Sequence, residues 1–469
     1  MTTRRRRMLG ALAAIVGLPI LAHLAIGPLT RIDPPAADTP RFAMREEGGV
    51  RHAHRAWSVV QGVRIVYLAG TPEEIGAEHT ALLYDRMAED EQVLWDGFAQ
   101  LVPLSPARTL MFDIGRVQHR HMVENFPDAR RREIGAEANA FAPDPYRHLL
   151  PTYQRMVTLH ALYDIALGFE HSPLLGACTA FGLKAEQTAD GHPLFARAFD
   201  FEAADVFDRD KVVFIVHEDG LLRFASIAWP GFIGVVTGMN EAGVAVAVHG
   251  GRARETSTTG TPVPFSLRNV LSRAKSTDEA VALLKSEEVM VSHIVFVGDA
   301  KGNFTVVERA PGVPAFVRPA QTITNHFEGP LASDPKNEDI RRNTTTLERR
   351  TRIDELVARV EPRTATPATM LAMLRDHGCA GGACPVGDRR SIDAFIATHG
   401  MIADLEAREL WVSEGPHLSG KFAKIELGSD PERGPRPDLV ELPADPALAD
   451  GRYEEGRKRA GGPLMGAKK

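Results

Sequence analysis

Six short segments between residues 178 and 249 carry a side-chain period near two, and turn signals part them. They fall at 178–184, 193–201, 211–217, 221–228, 233–239 and 244–249, divided by Asp190-Gly191, Asp219-Gly220 and Asn240-Glu241-Ala242-Gly243. Intervals this short leave no room for crossover helices, so the segments predict an antiparallel sheet. Helical patterns surround it: 72–94, 105–124, 128–140 and 148–168 before it, then 265–274, 277–287, 346–360 and 367–375 after it. Thr71 stands at an N-cap with Pro72 at the first helical position and Glu73 and Glu74 in the first turn. Ser276 and Glu279 have capping-box spacing. A further hairpin is predicted over 291–309 and strands over 398–413. The whole reads as α+β, with stacked antiparallel sheets covered by helices.

The ends differ from this body. Arg4 to Arg7 precede an apolar run from Met8 to about Leu29, close to the ~20 residues that span a bilayer. The arginines would stay on the cytoplasmic side. Residues 1–29 are therefore expected to be a signal anchor or a cleaved signal peptide. The catalytic region would then be membrane-anchored on the outer (periplasmic or extracellular) side, or secreted. Residues 30–62 read as a linker rich in Pro, Ala and charge, and residues 428–469 as a flexible tail. Between them lie a helical segment, 63–177, and a strand-rich region, 178–427.

Composition narrows the function. Lys+Arg 55 against Asp+Glu 61 gives −6, so no basic excess holds nucleic acid. Three cysteines exclude a disulfide-built scaffold, and an odd number leaves at least one unpaired. His52-Ala53-His54 and His119-Arg120-His121 lack nearby carboxylate partners and read as surface decoration.

Cys178 opens the first strand of the sheet. A hairpin through Ala189-Asp190-Gly191-His192 returns to Arg197-Ala198-Phe199-Asp200. Centred on Ala189, it sets Asp200 opposite Cys178 and Arg197 nearby; a slip of one residue would turn either side chain to the other face. A guanidinium beside a thiol lowers its pKa from ~8.5, which is how a cysteine nucleophile is tuned. The same residues also fit a buried core cysteine beside an ordinary ion pair.

Cys178-Thr179 followed by Arg197-x-x-Asp200 resembles the N-terminal-nucleophile (Ntn) hydrolases of the choloylglycine hydrolase and acid ceramidase superfamily. The nearest likeness is to the acyl-coenzyme A:6-aminopenicillanate acyltransferase-like cysteine enzymes. Supporting segments, in order, are Gly70–Gly76, Gly238–Val244, Thr324-Asn325-His326-Phe327, Asp376-His377 and Ala403–Val412.

The resemblance implies a four-layer αββα sandwich made as a precursor. Cleavage between Ala177 and Cys178 would give an α chain (63–177) and a β chain (178–427) that stay associated. Cys178 would be the nucleophile, Arg197 would hold the thiolate or substrate, and Asp200 would fix the new amine. Asn325 and the backbone N–H of Asn240 would form the oxyanion hole, and Arg349 is a candidate substrate-binding arginine. No cofactor and no metal are implied. The expected substrate is a small molecule or peptide bearing an acyl amide. An ester-cleaving, phospholipase-B-like enzyme and a non-catalytic protein retaining the fold are the alternatives. Where relatives have one cysteine after Asp376-His377, this chain has Cys379 and Cys384, either a disulfide closing a small loop or two free thiols.

Overall fold

The computed structural model describes residues 17–18, 20–168, 178–201, 204–427, 434–435 and 440–461. Its strands are β1 (Met44–Glu47), β2 (Val50–Ala53), β3 (Ala56–Gln61), β4 (Val63–Gly70), β5 (Thr179–Leu183), β6 (Leu194–Phe199), β7 (Val212–Glu218), β8 (Phe224–Ala228), β9 (Thr237–Asn240), β10 (Ala245–Gly250), β11 (His293–Gly298), β12 (Phe304–Ala310), β13 (Val313–Pro319), β14 (Thr322–Ile323), β15 (His399–Asp404), β16 (Glu409–Ser413) and β17 (Phe422–Glu426). After the helical stretch at 20–29, the helices of seven residues or more are α1 (Pro72–Leu101), α2 (Ser105–Gln118), α3 (Asp128–Ala140), α4 (Thr152–His160), α5 (Leu162–Gly168), α6 (Val263–Arg273), α7 (Thr277–Lys285), α8 (Pro335–Asn343), α9 (Thr346–Ala358), α10 (Pro367–Leu374) and α11 (Arg452–Ala460).

Two sheets form. One runs β1-β2-β3-β4-β7-β8-β9-β10-β11-β12-β13, the other β14-β5-β6-β15-β16-β17. The expected antiparallel pairing holds except at β4–β7, which is parallel (Arg64↔Val212 to Gly70↔Glu218). That pair is joined by a long excursion through α1–α5 and the β5–β6 hairpin, so the short-interval argument does not reach it.

Alternation along the strands divides the core into three seams, hence four layers. Val246 and Val248 of β10 face outward onto Leu267, Val270 and Ile134 of the helices. Ala245 and Ala247 face inward, where Ile65, Val213 and Phe296 meet Ala180, Phe195, Met401 and Val412 of the second sheet. That sheet's far face, with Phe181, Ala196, Ala198 and Ile402, packs on Ile353, Leu371 and Leu374. The order is helix, sheet, sheet, helix. At the start of α1, where Thr71 was expected as the N-cap, its hydroxyl accepts from Glu74 N–H while Glu74 accepts from Thr71 N–H, a reciprocal cap.

Two expected boundaries are corrected. Residues 30–62 are not a plain linker, because β1–β3 extend the first sheet there. Gly48-Gly49, with φ of 59° and 80°, makes a two-residue hairpin turn between Glu47 and Val50. Within 428–469, the described residues 440–461 fold onto the body. Leu442 exchanges backbone hydrogen bonds with Phe422, and Gly456 of α11 lies so close to Phe395 that a Cβ would meet its ring at 2.3 Å.

Most of the expected signal segment, including Arg4–Arg7, lies outside the described residues. Residues 20–29 are helical, with His23 Nδ1 2.8 Å from Asp113 and the Gly27 carbonyl accepting from Arg116. Among the described residues no helix is long and apolar enough to cross a membrane.

Candidate active site

Cys178 is the residue before β5, 2% exposed, and the free cysteine of the chain. Strand register decides what surrounds it. Thr179 pairs with Ala198 and Ala180 with Arg197, so continuing the β5–β6 ladder puts Phe199, not Asp200, level with Cys178. The expected pairing is off by one residue. On the other side Ile323 pairs with Ala180, and the same continuation brings Asn325 level with Cys178. Side chains that oppose one another share a face, so Cys178, Arg197 and Asn325 all turn toward the inter-sheet seam.

Arg197 Nη2 donates to Cys178 Sγ at 3.4 Å. Its guanidinium also donates to the Val236 carbonyl at 2.7 Å, to the Thr237 hydroxyl and to the Val248 carbonyl. The Phe199 ring lies beneath it, 4.3 Å from Cζ. A fully buried cation is thus aimed at the sulfur by acceptors on β9, the turn before it, and β10.

Arg349 of α9 approaches from the helical layer. It donates to the Cys178 carbonyl at 2.7 Å, the Thr179 hydroxyl at 3.0 Å and Asn325 Oδ1 at 3.1 Å. Burial lowers its pKa, and the charges of Asp200 and Cys178 oppose that. At 2% exposure it clamps the strand carrying the nucleophile. Asn325 spends one amide hydrogen on the Gly250 carbonyl at 2.9 Å and keeps a second. Asp200 is buried just past β6, within electrostatic reach of Arg349.

Asn240 is not brought to the sulfur. Its N–H donates to the Val244 carbonyl, its Oδ1 accepts from Ala242 and Val244, and its Nδ2 holds the Leu271 and Ala274 carbonyls at the end of α6. It has no donor left for an oxyanion and serves as a turn-and-cap residue. Ala177 falls in 169–177, outside the described residues.

Sequence reasoning missed His249. Buried on β10 between Arg197 and Arg349 and beside the Cys178 backbone, it is held neutral: burial, then the two cations, pushes its pKa well below the usual range. Neither ring nitrogen meets hydrogen-bond geometry with a protein group. Its signal was parity: Ala245, Ala247 and His249 share the inter-sheet face.

An apolar cavity of about 90 Å³ adjoins this cluster. Phe141, Tyr163, Phe199, Phe201, Phe207, Trp229 and Phe232 give its aromatic lining. Three contacts tie it to the nucleophile. Phe199 lies under Arg197, the lining residue Val236 accepts from Arg197, and Tyr163 is near enough to feel the charge of Cys178.

Cys379 and Cys384 are joined in a disulfide, Cα–Cα 5.6 Å, which commits both sulfurs. Asp190, His192 and Asp404 cluster at the other end of the β5–β6 hairpin, with His192 Nδ1 3.0 Å from Asp404.

A helix–sheet–sheet–helix body with a cation-partnered thiol at the head of an inner strand is the architecture expected of the cysteine Ntn class. Residues 187–415, just under half of the chain, match the family described as acyl-coenzyme A:6-aminopenicillanic acid acyl-transferase. The matched stretch includes Arg197, Asp200, Asn240, Asn325 and Arg349, and begins after Cys178. An uncharacterized protein of Archaeoglobus fulgidus is 24% identical over 258 residues, 52% of this chain and 42% of that protein. The aligned part thus spans less than half of that relative. Among solved structures, a Caenorhabditis elegans ortholog of N-acylethanolamine-hydrolyzing acid amidase aligns with TM-score 0.37 and 16% identity over 49% of this chain and 93% of its own. Penicillin V acylase from Agrobacterium tumefaciens aligns with TM-score 0.34 and 18% identity, over 54% and 92%. A conjugated bile acid hydrolase from Clostridium perfringens gives 0.34 and 15%, over 57% and 98%.

Proposed function

We propose that this protein is a self-processing cysteine amidohydrolase or N-acyltransferase, acting on an acyl amide through a thioester on Cys178. The observation that carries the reading is the buried Arg197 guanidinium 3.4 Å from the Cys178 sulfur. The family match over residues 187–415 supports the reaction type. Cleavage before Cys178 would free its α-amino group, whose ordinary pKa of ~7.7–8.0 lets it take the thiol proton near neutral pH. The sulfur then attacks the amide carbon. The C–N bond breaks, the amine leaves with that proton, and water or an acceptor amine cleaves the thioester. The second amide hydrogen of Asn325 would donate to the oxyanion, its first being held by the Gly250 carbonyl. The acyl group would enter the aromatic-lined cavity. The N-terminal arginines and apolar run support an exported, membrane-anchored enzyme whose two fragments remain associated.

The test is to incubate the protein with chromogenic acyl amides and the matching esters and then measure the mass of the β fragment. An acyl adduct on Cys178, absent in Cys178→Ser, is expected. Amide turnover that survives Cys178→Ala would overturn the reading, and turnover of esters alone would redirect it to ester cleavage.

A further inference from the structure

Two glutamates one turn apart on α3 differ sharply. Glu133 and Glu137 are both fully buried. Glu133 accepts from Arg130 and, at 2.8 Å, from Arg268. Glu137 lines the aromatic cavity, and neither of its carboxyl oxygens has a protein hydrogen bond. A Cβ added to the lining residue Gly231 would stand 3.8 Å from its Oε1, so that oxygen faces the cavity wall. An unsatisfied carboxyl oxygen in such surroundings is costly, and a ligand's hydrogen bond would recover that cost.

The neighbouring imidazole fixes what kind of ligand. His160 Nδ1 lies 2.7 Å from the Met156 carbonyl, so it carries the hydrogen and Nε2 is left as an acceptor. That Nε2 stands 3.4 Å from Glu137 Oε2. Burial holds His160 neutral, with a pKa lowered to about 4. Burial, with the charges of Glu133 and Glu91, raises Glu137 well above the carboxylate range, against the pull of Arg268. A neutral acid satisfies this geometry: its O–H turns toward His160, and Oε1 remains a carbonyl acceptor, buried directly behind Gly231 of the cavity wall.

Building on the acyl-site reading above, we propose that Glu137 is a specificity-determining residue that accepts a hydrogen bond from a hydroxyl group on the substrate's acyl chain. The preferred acyl group is then apolar along its length with one hydroxyl at the depth of Glu137. At about 90 Å³ the cavity is smaller than the ~150 Å³ that admits benzene, so the acyl group is slender. A polar contact in so apolar a lining selects more strongly than length does, because the wrong acyl group leaves the carboxyl unpaired.

The test uses two readouts on the intact protein. In calorimetry, free short- and medium-chain fatty acids are compared with their terminally hydroxylated counterparts, so binding is read without any turnover. In kinetics, kcat/KM is compared for the matching acyl anilides. A hydroxyl preference of about tenfold or more is expected at one chain length. Glu137→Gln keeps an acceptor toward the cavity and should keep the preference; Glu137→Met should abolish it. Equal binding of the two acids, or a preference for an amine-terminated chain, would overturn the proposal. Preferential acid binding without any anilide turnover would leave this site standing and count against the amidase reading instead.

Discussion

The two walls of the site are built on opposite plans. On the inter-sheet side, Arg197, Arg349 and Asn325 are all committed to named partners around Cys178. On the helix side, seven aromatic residues line a cavity whose carboxyls include Glu137, with Oε1 unpartnered, and Asp90, also with one unpartnered oxygen. A wall so heavily cross-bonded can hold a reacting sulfur in place, even with Arg197 Nε and the His249 ring left without protein hydrogen bonds. A wall with unmade bonds and room is suited to choosing what enters. The division teaches that chemistry and selectivity here reside on different layers and can be altered separately.

Breaking the first wall should have the largest effect. Arg197→Met strands the Val236, Thr237 and Val248 acceptors and removes the cation at Sγ, so activity is expected to vanish and stability to drop by about 3–5 kcal/mol in denaturant unfolding. Asn325→Ala should lower kcat by about 10²–10³ with KM little changed, the sign of a donor used in the transition state. The second wall should respond in selectivity. Phe201→Leu is expected to shift kcat/KM toward bulkier acyl groups severalfold while Cys178 acylation persists, read from a panel of acyl anilides.

The smallest effect concerns pH. Burial first, then the Asp210 carboxylate, raises the Asp90 pKa to about 8. A folded pKa above the unfolded value, ~3.9, means this contribution is complete below that value and is lost as pH rises toward 8. Asp90→Asn should therefore shrink the fall in Tm between pH 5 and pH 8, measured by calorimetry. An unchanged fall would assign the pH dependence elsewhere.

Local signals were the legible ones. Thr71-Pro72-Glu73-Glu74 announces α1, and 128–140 was bounded correctly, because caps and helical periodicity act within a few residues. Cys178, Arg197 and Asn325 could be nominated from the motif resemblance, and the structure brings them together. What depends on distant segments was not legible. The β5–β6 register slipped by one residue because a ten-residue connection does not set its own midpoint. Asn240 looked free in a turn motif, but α6, some thirty residues on, takes its side chain. The pairing of Glu133 and the isolation of Glu137 are decided by Arg268 and Gly231, far away in sequence.

The central claim is that Cys178 becomes an N-terminal nucleophile, and intact mass measurement of purified wild type and Cys178→Ala tests it most directly. The wild type should yield a fragment beginning at Cys178 together with its α partner, and the variant should remain one uncut chain. A wild-type chain that stays whole while hydrolysing acyl amides would contradict the account.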